Sequence, residues 1–274
     1  MNPLTTAAAI ACLLEGVMGT RAVHAQELVD VGGRHLEIVR SGHGRPTVVF
    51  ESGITDLRIW SGIQPRVAAF AATVSYSHSG IGRSQPSQGS RAPDRVVQEL
   101  HDLLGRAGAR PPYVLVGHSM GGLYARLFAI RYPSEVSGLV LVDGAHERQV
   151  REFTRLDSAF IRIREAGLKS LEPGPRAEMD GLATILSSGD LGTTDKLPDV
   201  PMAVLTSTRS TPPSIPGAAK VWRELHDEIF RSATHGMHVV TSRSGHLIQK
   251  DEPDLVVNAT RWVVDAANAG RTPK

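Results

Sequence analysis

The sequence predicts an α/β protein built around a largely parallel β-sheet. Short runs rich in β-branched residues alternate with helical patterns along most of the chain. Several of these runs are apolar throughout, as strands buried on both faces are. The 274 residues include 41% hydrophobic and 21% charged residues, which is enough apolar material for a sizeable core. Length alone allows one large α/β domain or two small ones.

Eight segments have the composition of strands. The first two form a predicted opening hairpin that turns at Gly32-Gly33. The others are short apolar runs that end in glycine-rich or polar loops. The predicted strands are residues 28–31, 35–39, 47–50, 73–76, 113–116, 138–142, 202–205 and 238–241.

Helical periodicity fills most of the intervals between these strands. Helices are predicted at 60–71, 93–107, from Met120 to about 132, 221–231 and 254–267. Residues 146–197 interrupt the alternation of strands and helices. They carry charged, mostly helical patterns between two strands of one sheet. An insertion there would lie over the carboxyl ends of the strands, so we expect a helical lid above a ligand crevice. The alternative is an elaborated surface excursion.

The first 25 residues resemble a signal peptide. An apolar stretch precedes Val23-His24-Ala25, which offers the small residues that a signal peptidase requires. Cleavage after Ala25 would give an exported, periplasmic or secreted protein that occupies residues 26–274. Glu15 interrupts the apolar stretch, and no Lys or Arg stands between Met1 and that stretch as in most signal peptides. A cytoplasmic protein with an N-terminal helix is therefore the alternative. The stretch is too short for a membrane span, which needs about 20 apolar residues.

Charge and cysteine content exclude several classes of function. The formal charge is +2, from 30 Lys and Arg against 28 Asp and Glu, with no basic run, so we expect no nucleic-acid partner. Cys12 is the single cysteine, which excludes an intramolecular disulfide and a thiolate metal site. A weaker alternative for the N-terminus is a lipoprotein cleavage site before Cys12.

Gly117-His118-Ser119-Met120-Gly121 matches the G-x-S-x-G nucleophile pattern, with an apolar strand before it and a helix after it. A strand that turns abruptly into a helix holds its serine at the apex of a strained turn. Glycine is needed on both sides, where side chains would clash. The turn aims the Met120 N–H toward the oxygen of a bound acyl group. We therefore expect Ser119 to be the nucleophile.

His246 follows the last predicted strand within Ser244-Gly245-His246-Leu247. A histidine there can take the proton of the serine and return it to the leaving group. His118 is expected to point away from the apex and to support the site indirectly. His235 and His238 are spaced as a metal pair could be, but no third ligand accompanies them, so we expect solvent-facing loop histidines and no metal.

These motifs resemble the α/β-hydrolase superfamily, in particular its single-domain esterase-like members. The resemblance covers nearly all of the chain after the signal segment. It is carried by residues 48–53, 76–84, 114–122, 139–143 and 244–246. It implies the α/β-hydrolase fold, an eight-stranded, mostly parallel sheet flanked by helices. It also implies a Ser-His-acid triad and an oxyanion hole made of backbone N–H groups.

The acid of the triad departs from the common pattern of the family. Members usually carry it after the strand at 202–205, where this chain has Thr206-Ser207-Thr208 and no carboxylate. Asp143 ends the preceding strand, a position that some members use, so we expect Asp143 to orient His246. An aspartate there without a catalytic role is the alternative. Asp227 and Glu224 are then the substitutes.

The resemblance also locates the rest of the site. By position, the Ile54 N–H is the second oxyanion donor beside that of Met120, with Gly53 allowing close approach. Trp60 and His146 are candidates to line the substrate pocket, with core packing and loop solvation as alternatives. His78 lies in a family loop that is normally structural, and a pocket role is its alternative.

The predicted function is cleavage of a small-molecule carboxylic ester, or a lactone, through an acyl-serine intermediate. No cofactor is expected. Rival reactions on the same triad are those of an amidase or aminopeptidase, a C–C hydrolase, a perhydrolase or an acyltransferase. A non-catalytic ligand-binding protein of the same fold is the rival outside enzymes. No pattern in the sequence indicates an oligomeric state.

Overall fold

The structure is a computed structural model that describes residues 26–193, 196–211 and 214–270. The predicted signal peptide, residues 1–25, and Cys12 within it lie outside the described residues.

One sheet organises the described chain, and all eight predicted strands belong to it. The strands are β1 (Gln26–Asp30), β2 (His35–Ser41), β3 (Thr47–Glu51), β4 (Ala72–Tyr76), β5 (Tyr113–His118), β6 (Val136–Val142), β7 (Met202–Ser207) and β8 (Gly236–Thr241). Their order across the sheet is β1-β2-β4-β3-β5-β6-β7-β8. β2 pairs antiparallel with β1 and β4, and every other described pairing is parallel. The predicted fold class is confirmed.

The described residues form ten α-helices, eight of them between strands and two after β8. They are α1 (Gln64–Val67), α2 (Pro93–Arg106), α3 (Met120–Arg131), α4 (Gln149–Leu156), α5 (Ala159–Lys169), α6 (Pro173–Gly181), α7 (Ala183–Ser188), α8 (Ala218–Arg231), α9 (Ile248–Asp251) and α10 (Pro253–Ala269). The helix predicted over 60–71 is not continuous in the structure. A 3-10 turn ends at Trp60 and α1 begins only at Gln64, because Pro65 fits only the first turn of a helix.

The strands send alternate residues to two apolar layers, since successive side chains of a strand point to opposite faces. On β5, Leu115 joins the layer that contains α2 and α3 residues. Its neighbours Val114 and Val116 join the layer that contains α1 and α10 residues. Burial on both faces explains why this strand reads as an unbroken apolar run.

Four helices, α4 to α7, occupy the interval between β6 and β7, where the sequence predicts a lid. α4 and α5 pack on α8 through a small aromatic cluster formed by Phe153, Phe160 and Trp222. α6 inserts the buried carboxylate of Glu178 against the body of the protein. The segment is therefore packed on the core at both ends.

Within the described ranges, none of the helices combines the length and the hydropathy that crossing a membrane requires.

Candidate active site

Ser119 lies at a sharp reversal between β5 and α3. Its backbone has φ 54° and ψ −126°, a strained combination for a residue with a side chain. The reversal is held from both sides. The Ser119 N–H donates to the Val142 carbonyl at 3.2 Å, and the Ser119 carbonyl accepts from the N–H groups of Gly122 (2.9 Å) and Ala145 (2.7 Å). These backbone bonds stabilise a conformation that the serine would otherwise avoid.

The glycines on either side of Ser119 are required by close backbone contacts. A Cβ on Gly117 would lie 2.4 Å from the Gly121 carbonyl oxygen. A Cβ on Gly121 would lie 2.3 Å from the carbonyl oxygen of Glu51, at the end of β3. The turn is therefore compressed against the neighbouring strand as well as against itself, which the sequence pattern alone does not reveal.

His246 and Asp143 are in direct contact. The Nδ1–H of His246 donates to Oδ2 of Asp143 at 2.7 Å. A carboxylate only accepts, so this bond places the ring proton on Nδ1 and leaves Nε2 free to accept another. The His246 side chain is 41% exposed, whereas that of Asp143 is fully buried.

Three donors surround the Asp143 carboxylate. Besides His246, the Ser207 N–H and the Trp222 indole N–H both donate to Oδ1 at 2.9 Å. Burial works to raise the pKa of Asp143. The hydrogen bonds and charge of His246, the charge of His226 and the Trp222 bond outweigh burial, so the pKa lies below its ordinary value of 3.8. Asp143 also has a positive φ of 47°, which only Ser119 shares among the described non-glycine residues.

The end of β7, where the family usually carries the acid, supports the site in another way. Ser207 donates its N–H to Asp143 and its hydroxyl to the Ser244 carbonyl at 2.7 Å. It therefore ties the aspartate to the loop that carries His246. The fallback carboxylates are engaged elsewhere, because Asp227 binds His238 and Glu224 pairs with Lys220.

The loop after β3 lies against the turn that carries Ser119. A Cβ on Gly53 would be 2.6 Å from the Gly121 nitrogen and 3.2 Å from the Met120 Cβ. Ile54 follows directly, so its N–H and that of Met120 belong to adjacent backbone segments. Met120 is the first residue of α3, and the N–H groups of a first helical turn have no partner within the helix.

A cavity of about 210 Å³ lies beside Ser119 and His246. Its walls combine apolar and polar side chains. The apolar wall is formed by Met120, Ala145, Phe153 and Trp222. The polar wall is formed by Gln149, Ser210 and Thr211. The nucleophile candidate and the base candidate therefore share one small cavity with the first residue of α3.

The three side chains considered for the pocket from the sequence are not among those lining this cavity. Trp60 is fully buried on the α1 and α10 side of the sheet, where its indole N–H donates to Ser52 Oγ at 3.0 Å. His146 is buried beside the cavity residue Ala145, and its Nδ1 accepts from the Arg148 N–H at 3.1 Å. Burial lowers the pKa of His146 to about 3.

His78 belongs to a buried charged cluster that we call the Glu51–His78–Glu178 cluster. Its Nε2 lies 2.7 Å from Glu51 Oε1 and its Nδ1 lies 3.4 Å from Glu178 Oε1. Burial alone would lower the pKa of His78, but the two carboxylates outweigh it and raise the pKa to about 10. Arg91 contacts Glu178 at 2.6 Å. His78 therefore has the structural setting expected of its loop.

The cluster also reaches the candidate oxyanion loop. Glu51 Oε1 accepts the Gly53 N–H at 2.8 Å, and the Tyr76 hydroxyl donates to the other oxygen of Glu51. Glu178, on α6, accepts the Tyr124 hydroxyl at 2.7 Å. The ion pairs of His78 with Glu51 and Glu178, together with the Glu51–Gly53 hydrogen bond, thus link the α6 helix to the loop that carries Ile54.

His118 supports the His246 loop. Its Nε2–H donates to the backbone carbonyl of His246 at 2.9 Å, and the two rings lie 4.6 Å apart. Burial lowers the pKa of His118 to about 3, so the ring is a neutral donor near neutral pH. The side chain is buried, and its bond holds the backbone of His246.

The expectation for His238 is wrong. His238 lies on β8 and its side chain is only 8% exposed, because Nδ1 binds Asp227 at 2.8 Å and Nε2 contacts Thr206 Oγ1 at 2.7 Å. His235 is exposed and packs edge-on against Trp262. Across the described ranges, no cluster of three His, Cys, Asp or Glu side chains could hold a metal ion.

Comparison with known proteins relates this chain to the α/β-hydrolase fold. The family model described as the alpha/beta hydrolase fold matches residues 46–167. The uncharacterized protein YqjL of Bacillus subtilis is 28% identical over 79% of this chain and 83% of its own length. Three other curated relatives match over less than half of their own length.

Solved structures share the fold at low sequence identity. The CarC serine hydrolase involved in carbazole degradation superposes with a TM-score of 0.65 at 19% identity, covering 88% of this chain and 98% of its own. A thermophilic esterase from Thermogutta terrifontis superposes with a TM-score of 0.65 at 20% identity, covering 89% and 99%. At this identity the likeness establishes the fold alone.

Proposed function

Because the chain has the α/β-hydrolase fold, we propose that it is a serine hydrolase of the α/β-hydrolase superfamily that cleaves carboxylic esters, lactones included. The observation that carries the proposal is the convergence of three features on one cavity. They are a serine in a strained reversal, an imidazole bonded to a buried carboxylate, and the start of a helix. Together they supply a nucleophile, a base and a donor for developing charge.

In the proposed reaction, Ser119 Oγ attacks the ester carbonyl carbon while His246 Nε2 takes the hydroxyl proton. The N–H groups of Met120 and Ile54 bind the oxyanion. The bond to the alcohol oxygen then breaks, and the imidazolium returns the proton to that oxygen. This leaves an acyl-serine and a free alcohol.

The second half of the reaction repeats these roles with water. His246 Nε2 removes a proton from water, whose oxygen attacks the acyl carbon. Collapse of the intermediate returns that proton to Ser119 Oγ and releases the carboxylic acid. Asp143 keeps Nδ1 protonated throughout and stabilises the imidazolium, so it acts without taking up a proton itself.

The helices α4 to α7 are proposed as the lid of this site. α4 supplies Gln149 and Phe153 to the cavity walls, which supports the assignment. A water-poor cavity strengthens the interaction of the backbone donors with the developing charge. A small-molecule ester is the proposed partner.

Export is a further proposal that rests on the sequence alone. If it is right, the mature protein recovered from outside the cytoplasm of its source begins at Gln26 on N-terminal sequencing. A mature protein that retains Met1 and stays in the cytoplasm would contradict it.

Hydrolysis assays test the proposed activity. Purified protein is offered p-nitrophenyl esters of varied acyl length, together with lactones and p-nitroanilide amides, alongside Ser119→Ala. We expect turnover of esters by the unaltered chain and only background hydrolysis by the variant. Turnover confined to amides would replace the proposal with an amidase. No turnover of any substrate, or activity that survives in Ser119→Ala, would overturn it.

A further inference from the structure

Trp222 contacts both the candidate acid and the cavity beside Ser119. Its indole N–H donates to Asp143 Oδ1 at 2.9 Å, and its ring belongs to the wall of the cavity beside Ser119. The side chain is 5% exposed and packs in the aromatic cluster with Phe153. A single residue of α8 therefore touches the candidate acid, the cavity and a helix of the proposed lid.

The indole N–H completes the set of donors to Asp143. Oδ2 faces His246, while Oδ1 receives both the Ser207 N–H and the Trp222 N–H. The Ser207 donor is backbone and survives any side-chain change, so Trp222 is the contact to Oδ1 that mutation can remove. A carboxylate held on Oδ1 cannot rotate away, and its Oδ2 stays in place for His246.

The cavity wall limits the size of the substrate. The cavity volume is about 210 Å³. Pockets for drug-sized ligands begin at about 300 Å³. A short acyl group suits a space below that range.

The geometry also favours the acyl group as occupant. His246 is 41% exposed, so an alcohol that leaves from its side of the site has access to solvent. Phe153 and Trp222 are each 5% exposed, and their rings lie 6.0 Å apart at a tilted angle. These buried apolar surfaces suit a short hydrocarbon chain that stays attached to Ser119.

We propose that Trp222 is a positioning and specificity-determining residue of this site, through its bond to Asp143 and its place beside Phe153 in a wall that selects short acyl groups. The proposal rests on the proposed ester hydrolysis. Because the two roles use different atoms of the indole, substitution can separate them.

Two variants make the separation. Trp222→Phe keeps an aromatic ring in the wall and removes the N–H. Phe153→Ala opens the wall and leaves the Trp222 bond intact. For Trp222→Phe we expect kcat on p-nitrophenyl butyrate to fall roughly tenfold, the loss typical of a hydrogen bond to a charged group, with KM within about twofold.

For Phe153→Ala we expect selectivity to change. The ratio of kcat/KM for the octanoate ester to that for the acetate ester should rise at least about tenfold, since a larger apolar space accommodates the extra methylenes. A series of acetate esters with alcohols of increasing size should show no comparable change. Thermal unfolding of each variant verifies the fold.

The outcomes are distinguishable. If the unaltered chain hydrolyses no ester, the proposed function fails. If the unaltered chain hydrolyses esters but Trp222→Phe keeps the parental kcat, whether or not its KM changes, the positioning role is overturned. If Phe153→Ala changes selectivity for the alcohol and not for the acyl group, the acyl assignment is overturned. Should Trp222→Phe fail to fold, benzothienylalanine at position 222 removes the N–H and keeps the bicyclic shape, with the same expected loss of kcat.

Discussion

The Nδ1–H of His246 donates to Oδ2 of Asp143 at 2.7 Å across 103 residues of sequence. The two residues follow different parallel strands, β8 and β6, and parallel strands present their carboxyl ends at the same edge of a sheet. The contact orients the loop histidine that we propose as the base.

Asp143→Asn should reduce kcat on short-chain esters by roughly 10⁴-fold, as in other triads, because an asparagine can donate to Nδ1 and stabilise the wrong tautomer of His246. Steady-state kinetics measure this loss. Asp227→Asn is the matched control, since Asp227 contacts His238 instead, and its kcat should stay within about twofold. Equal losses in both variants would contradict the assignment of Asp143.

Gly121→Ala should abolish most activity and lower stability. A Cβ there would meet the Glu51 carbonyl at 2.3 Å, and both partners are backbone, so β3 and the Ser119 turn must separate. We expect a loss of at least about 2 kcal/mol in the free energy of unfolding, in the range of overpacked cores. Urea unfolding provides the measurement.

Gly105→Ala is the control for this substitution. Gly105 lies in α2, and its added Cβ meets nothing within 4 Å. Alanine is the better helix former, so the variant should match or exceed the parent by up to about 1 kcal/mol, with activity intact. A Gly121→Ala protein with normal stability and activity would show that the turn tolerates the extra atom.

The Glu51–His78–Glu178 cluster should make stability depend on pH. The pKa of His78 is raised from 6.5 to about 10 in the folded chain. The stabilisation that it provides is therefore complete below about pH 6.5 and is lost as pH rises toward 10. The pKa of Glu178 is lowered from 4.5 to about 2, so its contribution is present above about pH 4.5 and is lost as pH falls toward 2.

The measurement is the free energy of unfolding between pH 6.5 and 10. Titration of His78 should contribute a slope of up to about −1.4 kcal/mol per pH unit, one proton being involved. His78→Gln should be less stable than the parent and lack this contribution. His101→Gln, which changes a half-buried histidine outside the cluster, should keep it. A parent and a His78→Gln protein with equal slopes would contradict the charged state of His78.

The sequence contains enough to predict the strands and the serine reversal, because both depend on neighbours in the chain. Tyr113–His118 reads as a buried strand from its own residues, and Gly117 and Gly121 follow from the tightness of the turn. The position of Asp143 near Ser119 could be inferred, because Asp143 follows a parallel strand beside the one that precedes Ser119.

The cavity walls depend instead on how distant segments pack, which no local pattern records. Phe153 and Trp222 look like ordinary apolar residues of amphipathic helices, and only the contact between α4 and α8 brings them to Ser119. Trp60 is near the oxyanion loop in sequence, yet it lies in the apolar layer with α1 and α10. The residues around His78 do not indicate that it pairs with Glu178, because Glu178 belongs to the distant helix α6.

Covalent labelling by a fluorophosphonate tests whether Ser119 is an activated nucleophile. The intact protein is treated with the probe, digested and analysed by mass spectrometry, with Ser119→Ala and a heat-unfolded sample in parallel. We expect one adduct on the peptide that contains Ser119, and none in either control. A folded protein that leaves Ser119 unmodified, or that carries the adduct on another residue, would contradict it.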